Sequence, residues 1–254
     1  MTKIQDIYDF LCRLAPVETQ MDFDNSGFLV GHINHPVSRV LLSLDITDEV
    51  IEEAASMKAE LILSHHPLIF RPIKCLTDTE NGRKPLRLAE LGIAAICMHT
   101  NLDIAQGGVN DVLIRALGAS SDAALDEEGC GRIGHLAGAL PLSEFLQRCR
   151  EVLKTGGLRY YDAGRAVCKL AVMGGSGGDA IETAFAMGCD TYVTADIKYH
   201  QFLLAKELGI NLIDGDHFCT ENLMIPVLAD MLSAEFIDVS FNISKVHRQV
   251  IQFA

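Results

Sequence analysis

Short apolar runs alternate with helical patterns along this 254-residue chain, and this alternation constrains the fold more than any other feature. Runs of this length fit buried strands, and the stretches between them fit helices. The candidate strands are residues 39–45, 60–64, 94–98, 168–173, 190–194 and 210–214. Residues 47–57 and 179–187 are typical of the intervening helices, because each begins with acidic residues that suit a helix N-terminus. The pattern predicts an α/β fold.

Two short sequence patterns occur twice, in the same order. Residues 57–60 and 187–190 each lead into a candidate strand with an acidic residue at its entry, and Glu-Leu-Gly-Ile at 90–93 and 207–210 leads into a later strand. The copies are 130 residues apart (57 to 187) and 117 residues apart (90 to 207). An insertion around residues 72–84 would account for the difference. We interpret the repeat as an internal duplication giving two similar α/β units; the alternative is chance recurrence in an α/β protein.

The length also fits two small domains, since domains commonly span about 150 residues. We predict a first α/β unit at residues 1–124 and a second at 125–254. The stretch 119–131 is rich in small and acidic residues and contains glycine, a composition typical of linkers. The segment after about residue 221 is a candidate to pack on the first unit.

Charge and cysteine content exclude some classes of protein. Lys and Arg number 21 against 34 Asp and Glu, and the formal net charge of −13 argues against a nucleic-acid binder. The eight cysteines form no C-x-x-C pair, which favours reduced thiols in a cytoplasmic protein. No apolar run reaches the ~18 residues needed to span a bilayer, and no export signal is visible. We therefore expect a cytoplasmic protein with no membrane contact.

Polar residues with metal-binding chemistry follow three of the candidate strands, and ligands bind at the carboxyl ends of strands in open α/β sheets. They are His65 and His66 after 60–64, His99 and Asp103 after 94–98, and His217 and Glu221 after 210–214. Taken singly, each has a simpler interpretation. The two adjacent histidines could be exposed or have their hydrogen bonds satisfied within the fold. Asp103 could form a turn or begin a helix, and Glu221 could be an acidic residue that suits the first turn of a helix.

Together, the three segments offer two or three imidazoles and two carboxylates. Such donors suit Zn, Mn, Fe, Ni or Co, and two bridging carboxylates suit a pair of ions about 3.5–4 Å apart. A pair of ions lowers the pKa of bound water and polarises a substrate. The combination predicts a dinuclear metal site and hydrolysis as the reaction class.

Four ordered segments resemble one known family. Residues 22–31 are similar to its D-N-x-G-L-x-V-G signature, and residues 63–67, 99–103 and 216–221 are similar to its metal-binding segments. The family is the Nif-three-like proteins (NGG-one-interacting-factor-three-like), also known as GTP cyclohydrolase 1 type 2 homologues. The resemblance covers nearly the whole chain.

The resemblance implies two similar α/β units, a dinuclear metal site at their junction and a ring-shaped homohexamer. The implied ligands of the two divalent ions are His65, His66, Asp103, His217 and Glu221, with the carboxylates as bridges. For His99, ligation, a supporting hydrogen bond to a ligand and proton transfer all stay open.

Several residues affect the expected substrate more than the expected metals. The family commonly has T-G-E where this chain has residues 194–196, so a contact of the longer Glu would be lost at Asp196 or made through water. It has G-H where this chain has Asp216-His217, which adds a negative charge beside the site. The cluster Gly174–Gly178 is either a tight turn or a phosphate contact. Asp24 and Asn25 either reach the site or form a turn.

Two functions from different classes fit these features. The first is a metal-dependent hydrolase of GTP cyclohydrolase type, acting through metal-activated water on a small molecule such as a nucleotide. The second is a non-catalytic, metal-binding oligomeric scaffold or interaction protein, which the family name also permits. An open coordination position with bound water would distinguish the enzyme.

Overall fold

The computed structural model describes residues 1–253 and confirms an α/β fold with two sheets. The helices are α1 (Ile4–Leu14), α2 (Asp48–Ser56), α3 (Glu80–Leu91), α4 (Thr100–Ile104), α5 (Val109–Ala116), α6 (Leu142–Leu153), α7 (Ile181–Ala186), α8 (Tyr199–Leu208), α9 (His217–Glu221) and α10 (Met224–Glu235). The strands are β1 (Gly27–Val30), β2 (Arg39–Ser43), β3 (Leu61–Ser64), β4 (Ala94–Cys97), β5 (Ala123–Ala124), β6 (Arg132–Leu140), β7 (Arg159–Tyr161), β8 (Val167–Ser176), β9 (Thr191–Ala195), β10 (Asn211–Asp214) and β11 (Ser240–Ile243). Among residues 1–253, no helix combines the length and the apolar character needed to cross a membrane.

Residues 1–105 and 225–248 form one compact unit. Its five-stranded sheet has the order β1-β4-β3-β2-β11, in which β1 is antiparallel to β4 and the other neighbours are parallel. Ser64 at the end of β3 pairs with Ser43 on β2 and with Cys97 on β4. The residues that follow these three strands therefore emerge at the same edge of the sheet.

Residues 106–224 and 249–253 form a second compact unit. Its six-stranded sheet has the order β5-β6-β8-β9-β10-β7, in which β8, β9 and β10 are parallel and the outer pairs are antiparallel. Thr194 on β9 pairs with Asp214 on β10, so the residues after both strands emerge at one edge. The domain boundary predicted between residues 124 and 125 stays a prediction.

The repeated Glu-Leu-Gly-Ile pattern ends a helix and starts a strand in both units. Gly92 and Gly209 follow α3 and α8 with φ of 67° and 72°, a left-handed conformation that glycine adopts without steric cost. The next residues, Ile93 and Ile210, are buried in the cores. Each pattern thus turns the chain from a helix into a buried strand.

The acidic residue at each repeated strand entry also has one role in both units. The Glu60 carboxylate accepts a hydrogen bond from the Arg39 amide at 2.8 Å, at the start of β2. The Asp190 carboxylate accepts one from the Lys169 amide at 2.7 Å, near the start of β8. In both cases the carboxylate fixes the beginning of the neighbouring strand.

Candidate metal centre

His65 follows β3 at the sheet edge of the first unit and is 2% exposed. Its Nδ1 lies 2.7 Å from the backbone carbonyl oxygen of Met98. Because a carbonyl oxygen only accepts, Nδ1 carries the proton and Nε2 carries the lone pair of the ring. This tautomer can bind a metal ion through Nε2.

His66 is oriented in the same way by a carboxylate. Its Nδ1 lies 2.7 Å from Asp45 Oδ1, and Asp45 Oδ2 lies 3.1 Å from Nε2 of His247. Burial by itself would raise the pKa of Asp45, but hydrogen bonds from His247 and then His66 lower it well below its usual range. Asp45 is therefore an anion that joins two imidazoles and fixes the tautomer of His66.

His99 precedes α4 and is held by Asp24 from the N-terminal motif. The His99 Nδ1 atom lies 2.7 Å from Asp24 Oδ1, and Asp24 Oδ2 accepts a hydrogen bond from the Thr100 amide at 3.0 Å. Burial opposes ionisation of Asp24, but the hydrogen bonds from His99 and Thr100 outweigh it and hold the pKa of Asp24 well below its usual range. Asp24 thus reaches the histidines, one of the two roles that the sequence left open for it.

Four of the residues predicted from the sequence lie together in the first unit. His65, His66 and His99 each offer a ring nitrogen, and these atoms all lie within 4.8 Å of one another. Asp103, on α4, places Oδ1 3.6 Å from Nε2 of His65. This cluster of imidazoles with a nearby carboxylate could hold a metal ion.

The second unit brings together His217 and Glu221, one turn apart on α9. His217 Nε2 lies 3.1 Å from Glu221 Oε2, and its Nδ1 lies 2.7 Å from Asp196 Oδ2. Burial lowers the pKa of His217, but Glu221 and then Asp196 raise it to about 9. The two carboxylates therefore stabilise positive charge at this imidazole. The shorter Asp196 side chain contacts the His217 ring directly.

Asp216 has a structural role beside His217. Its φ is 74°, a left-handed value that favours the glycine found at this position in the resembling family. Its Oδ1 accepts a hydrogen bond from the Cys219 amide at 3.1 Å and so caps α9. The added negative charge predicted beside the site is thus used to begin the helix that carries His217 and Glu221.

The glycine cluster is bonded to side chains of its own unit. The Gly174 amide donates to Asn110 Oδ1 at 2.8 Å, and the Gly175 amide donates to Thr220 Oγ1 at 3.1 Å. These contacts occupy two of the backbone amides of the cluster. The geometry favours the structural interpretation of Gly174–Gly178 over phosphate contact.

The four candidate histidines share one arrangement, in which Nδ1 donates to an oxygen of the protein. The acceptors for His65, His66, His99 and His217 are Met98, Asp45, Asp24 and Asp196, respectively. Metal-binding histidines almost always donate their second ring N–H in this way. Neutral imidazoles with carboxylates suit first-row divalent metals. The residues present fit a divalent metal ion.

Two supporting residues were missed from the sequence. Asp45 is the last residue of the predicted strand 39–45, and the observed strand ends at Ser43, so the strand-end argument that selected His65 also applied to it. His247 lies in the irregular stretch after β11, and no spacing or motif in the sequence pointed to it.

Comparison with known proteins agrees with the resemblance of the four sequence segments. A model of the family described as Duf34/NIF3 (NGG1p interacting factor 3) matches residues 2–250. Proteins named GTP cyclohydrolase 1 type 2 homolog are 36% identical in Clostridium perfringens, over 99% of each chain, and 33% identical in Clostridium acetobutylicum, over 94% of this chain and 93% of the relative. The crystal structure of Staphylococcus aureus protein SA1388 is 27% identical with a TM-score of 0.92, covering 100% of this chain and 99% of that one. The chain therefore belongs to the Duf34/NIF3 family.

Proposed function

We propose that this protein is a metal-dependent hydrolase that binds two divalent ions. The proposed ligands are His65, His66, Asp103, His217 and Glu221. The observation that carries the proposal is the fixed tautomer of the histidines, each held at Nδ1 by an oxygen of the protein. Rings fixed in this way lose little freedom when a metal binds, which favours a built ligand set over a chance cluster.

The protein residues orient the ligands and hold protons at stated atoms. Asp45 and Asp196 keep the protons of His66 and His217 on Nδ1. Bound divalent ions would supply Lewis acidity, which lowers the pKa of water and polarises a substrate. His99 belongs to the same histidine cluster, so the proposal includes it as a further ligand or as a residue that transfers a proton.

The names of the relatives support a GTP cyclohydrolase-type reaction on a nucleotide or a related small molecule. The shared local structures at residues 57–60 and 187–190, and at 90–93 and 207–210, support an internal duplication. We propose on the family resemblance that the metals bind at the junction of the two units and that the protein is a cytoplasmic homohexamer.

Metal content tests the proposal directly. Elemental mass spectrometry of protein purified without chelator is expected to find about two transition-metal ions per wild-type chain. The His66→Ala, Glu221→Ala double variant should lose most of this metal. The matched control is His200→Ala, which removes an exposed histidine of α8 outside the cluster. A wild type without metal, or a double variant with unchanged metal content, would contradict the ligand assignment.

Turnover separates the enzyme from the scaffold. Metal-loaded wild type is expected to hydrolyse GTP or a related nucleotide, and the double variant is not. If instead the double variant has a lower melting temperature and no nucleotide is hydrolysed by wild type, the metal-binding scaffold is the better description.

A further inference from the structure

Two exposed phenylalanines lie beside the histidine cluster of the first unit. Phe23 is 65% exposed and Phe70 is 43% exposed. Their ring centroids are 6.3 Å apart, and the Phe70 ring is also 6.3 Å from the His99 ring. Adjacent exposed apolar side chains are a feature of ligand-binding and interaction sites. The pair therefore presents exposed aromatic surface next to a candidate metal-binding residue.

The N-terminal motif places this aromatic pair. Phe23 supplies one ring, and Asp24 holds His99 through its Nδ1. The Asn25 amide group donates to the carbonyl oxygen of Ile69, directly before Phe70. Three consecutive residues thus fix the two phenylalanines and His99 as one surface, which a turn-forming role for the motif would not require.

A cationic cavity adjoins the same surface. It has a volume of about 700 Å³ and is lined by residues 67–75 and by the start of α3. Arg71, Lys74 and Lys84 contribute three positive charges to its lining, and no Asp or Glu is among the lining residues whose side chains the structure describes. In a chain of net charge −13, this local excess of positive charge favours an anionic ligand.

The three positively charged side chains of the cavity differ in the contacts that they already make. Lys84 Nζ donates to the carbonyl oxygen of Ile46 at 2.9 Å. Arg71 and Lys74 form no ion pair with any of the side chains that the structure describes. Neighbouring Arg83, which does not line the cavity, pairs with Asp48 at 2.7 Å. Arg71 and Lys74 are therefore the charges left for a ligand, and a guanidinium binds phosphate oxygens with two parallel hydrogen bonds.

We propose that Phe23, Phe70, Arg71 and Lys74 form the substrate subsite of the hydrolase, an inference that rests on the proposed function. The ligand class is a planar ring compound that carries a phosphate or polyphosphate group. The ring stacks on Phe70 beside His99, and the phosphate lies in the cavity against Arg71 and Lys74. The residues that line the cavity all lie between positions 67 and 85, so this subsite belongs to the first unit.

Calorimetric binding of three probes tests the aromatic pair and the cationic cavity separately. The probes are GTP, guanosine and inorganic triphosphate, and the protein is used as purified. The Arg71→Ala, Lys74→Ala variant should bind GTP and triphosphate about tenfold more weakly and guanosine unchanged. Phe70→Ala should bind GTP and guanosine about tenfold more weakly and triphosphate unchanged. The control is Arg83→Ala, Lys206→Ala, which removes two exposed charges outside the cavity.

Two results would overturn the inference. One is a wild-type protein that binds none of the three probes, and the other is a cavity variant that binds them as tightly as the control. Higher ionic strength should weaken GTP binding to wild type more than to the Arg71→Ala, Lys74→Ala variant, because salt screens the exposed charges.

Metal content and turnover, measured on the same samples, distinguish a failure of this inference from a failure of the proposed function. Normal GTP binding by the cavity variants of a protein that holds metal and hydrolyses GTP contradicts only the subsite. Selective loss of probe binding, in a protein that holds no metal, supports the subsite and contradicts the hydrolase.

Discussion

Replacing Gly175 with alanine should weaken metal binding without preventing folding. Gly175 lies near the end of β8 with φ of +63°, and a Cβ there would overlap Glu221 Oε1 and lie 3.3 Å from His217 Cε1. The overlap is relieved most cheaply by moving the Glu221 carboxylate, one of the proposed ligands. The left-handed conformation adds a cost of about 1–2 kcal/mol to folding for a residue with a Cβ.

Gly209→Ala is the matched control, because it separates the backbone cost from the displaced ligand. Gly209 has nearly the same φ, +72°, and a Cβ there has no atom within 4 Å. Both variants should therefore lose about 1–2 kcal/mol of unfolding free energy. Only Gly175→Ala should lose metal affinity, by about tenfold to a hundredfold, the range found when groups that support a metal site are disturbed.

Urea unfolding measures the loss of unfolding free energy, and it is done on metal-free protein because bound metal would add to stability. Competition with a chromogenic chelator measures the metal affinity. Equal metal affinity in Gly175→Ala and Gly209→Ala would refute the reasoning, because it would mean that Glu221 either does not bind metal or moves without consequence.

Three further predictions concern groups around the histidines and one buried ion pair. His247→Ala should weaken metal binding about tenfold, because Asp45 would lose one of the two imidazoles that orient it behind His66; an unchanged affinity in chelator competition would contradict this. Asp196→Asn should lower the pKa of His217 in metal-free protein, which NMR titration of the ring would detect as a downward shift. Burial by itself would raise the pKa of Asp111, but hydrogen bonds from a serine and a backbone amide, and the charge of an arginine, lower it. The stability that Asp111 contributes is therefore present above its unfolded pKa of about 3.9 and lost as pH falls through its folded value. Unfolding free energies of wild type and Asp111→Asn should accordingly converge in acid, and a difference that grows with falling pH would exclude this sign.

The strands that carry the candidate site were predictable because they are buried on both faces. All six predicted strands are present, each within three residues of its predicted ends. The runs 40–42 and 61–63 are wholly apolar, as is typical of central parallel strands. β1, β7 and β11 were not predicted, because they are short edge strands of three or four residues whose pairing depends on a distant partner.

The candidate ligands were predictable for a different reason. His65, His99 and His217 come just after strands, where chain geometry by itself gathers side chains at a sheet edge. The residues behind them were harder to predict, because Asp24, Asp45 and Asp196 act through hydrogen bonds that span 21 to 75 residues of sequence. The sequence also does not reveal which residues other than glycine adopt a left-handed φ, as Asp196 does at 55°.

The position of β11 has a consequence for how the protein is made. β11 completes the sheet of the first unit by pairing with β2, although the two strands are separated by roughly 200 residues of sequence. At a synthesis rate of about 5–20 residues per second, β2 waits on the order of 10–40 s for its partner. During that interval its outer edge offers unpaired backbone groups to other nascent chains. Fragments released from the ribosome that end near residue 235 should therefore aggregate or recruit chaperones more readily than released fragments extended past residue 248.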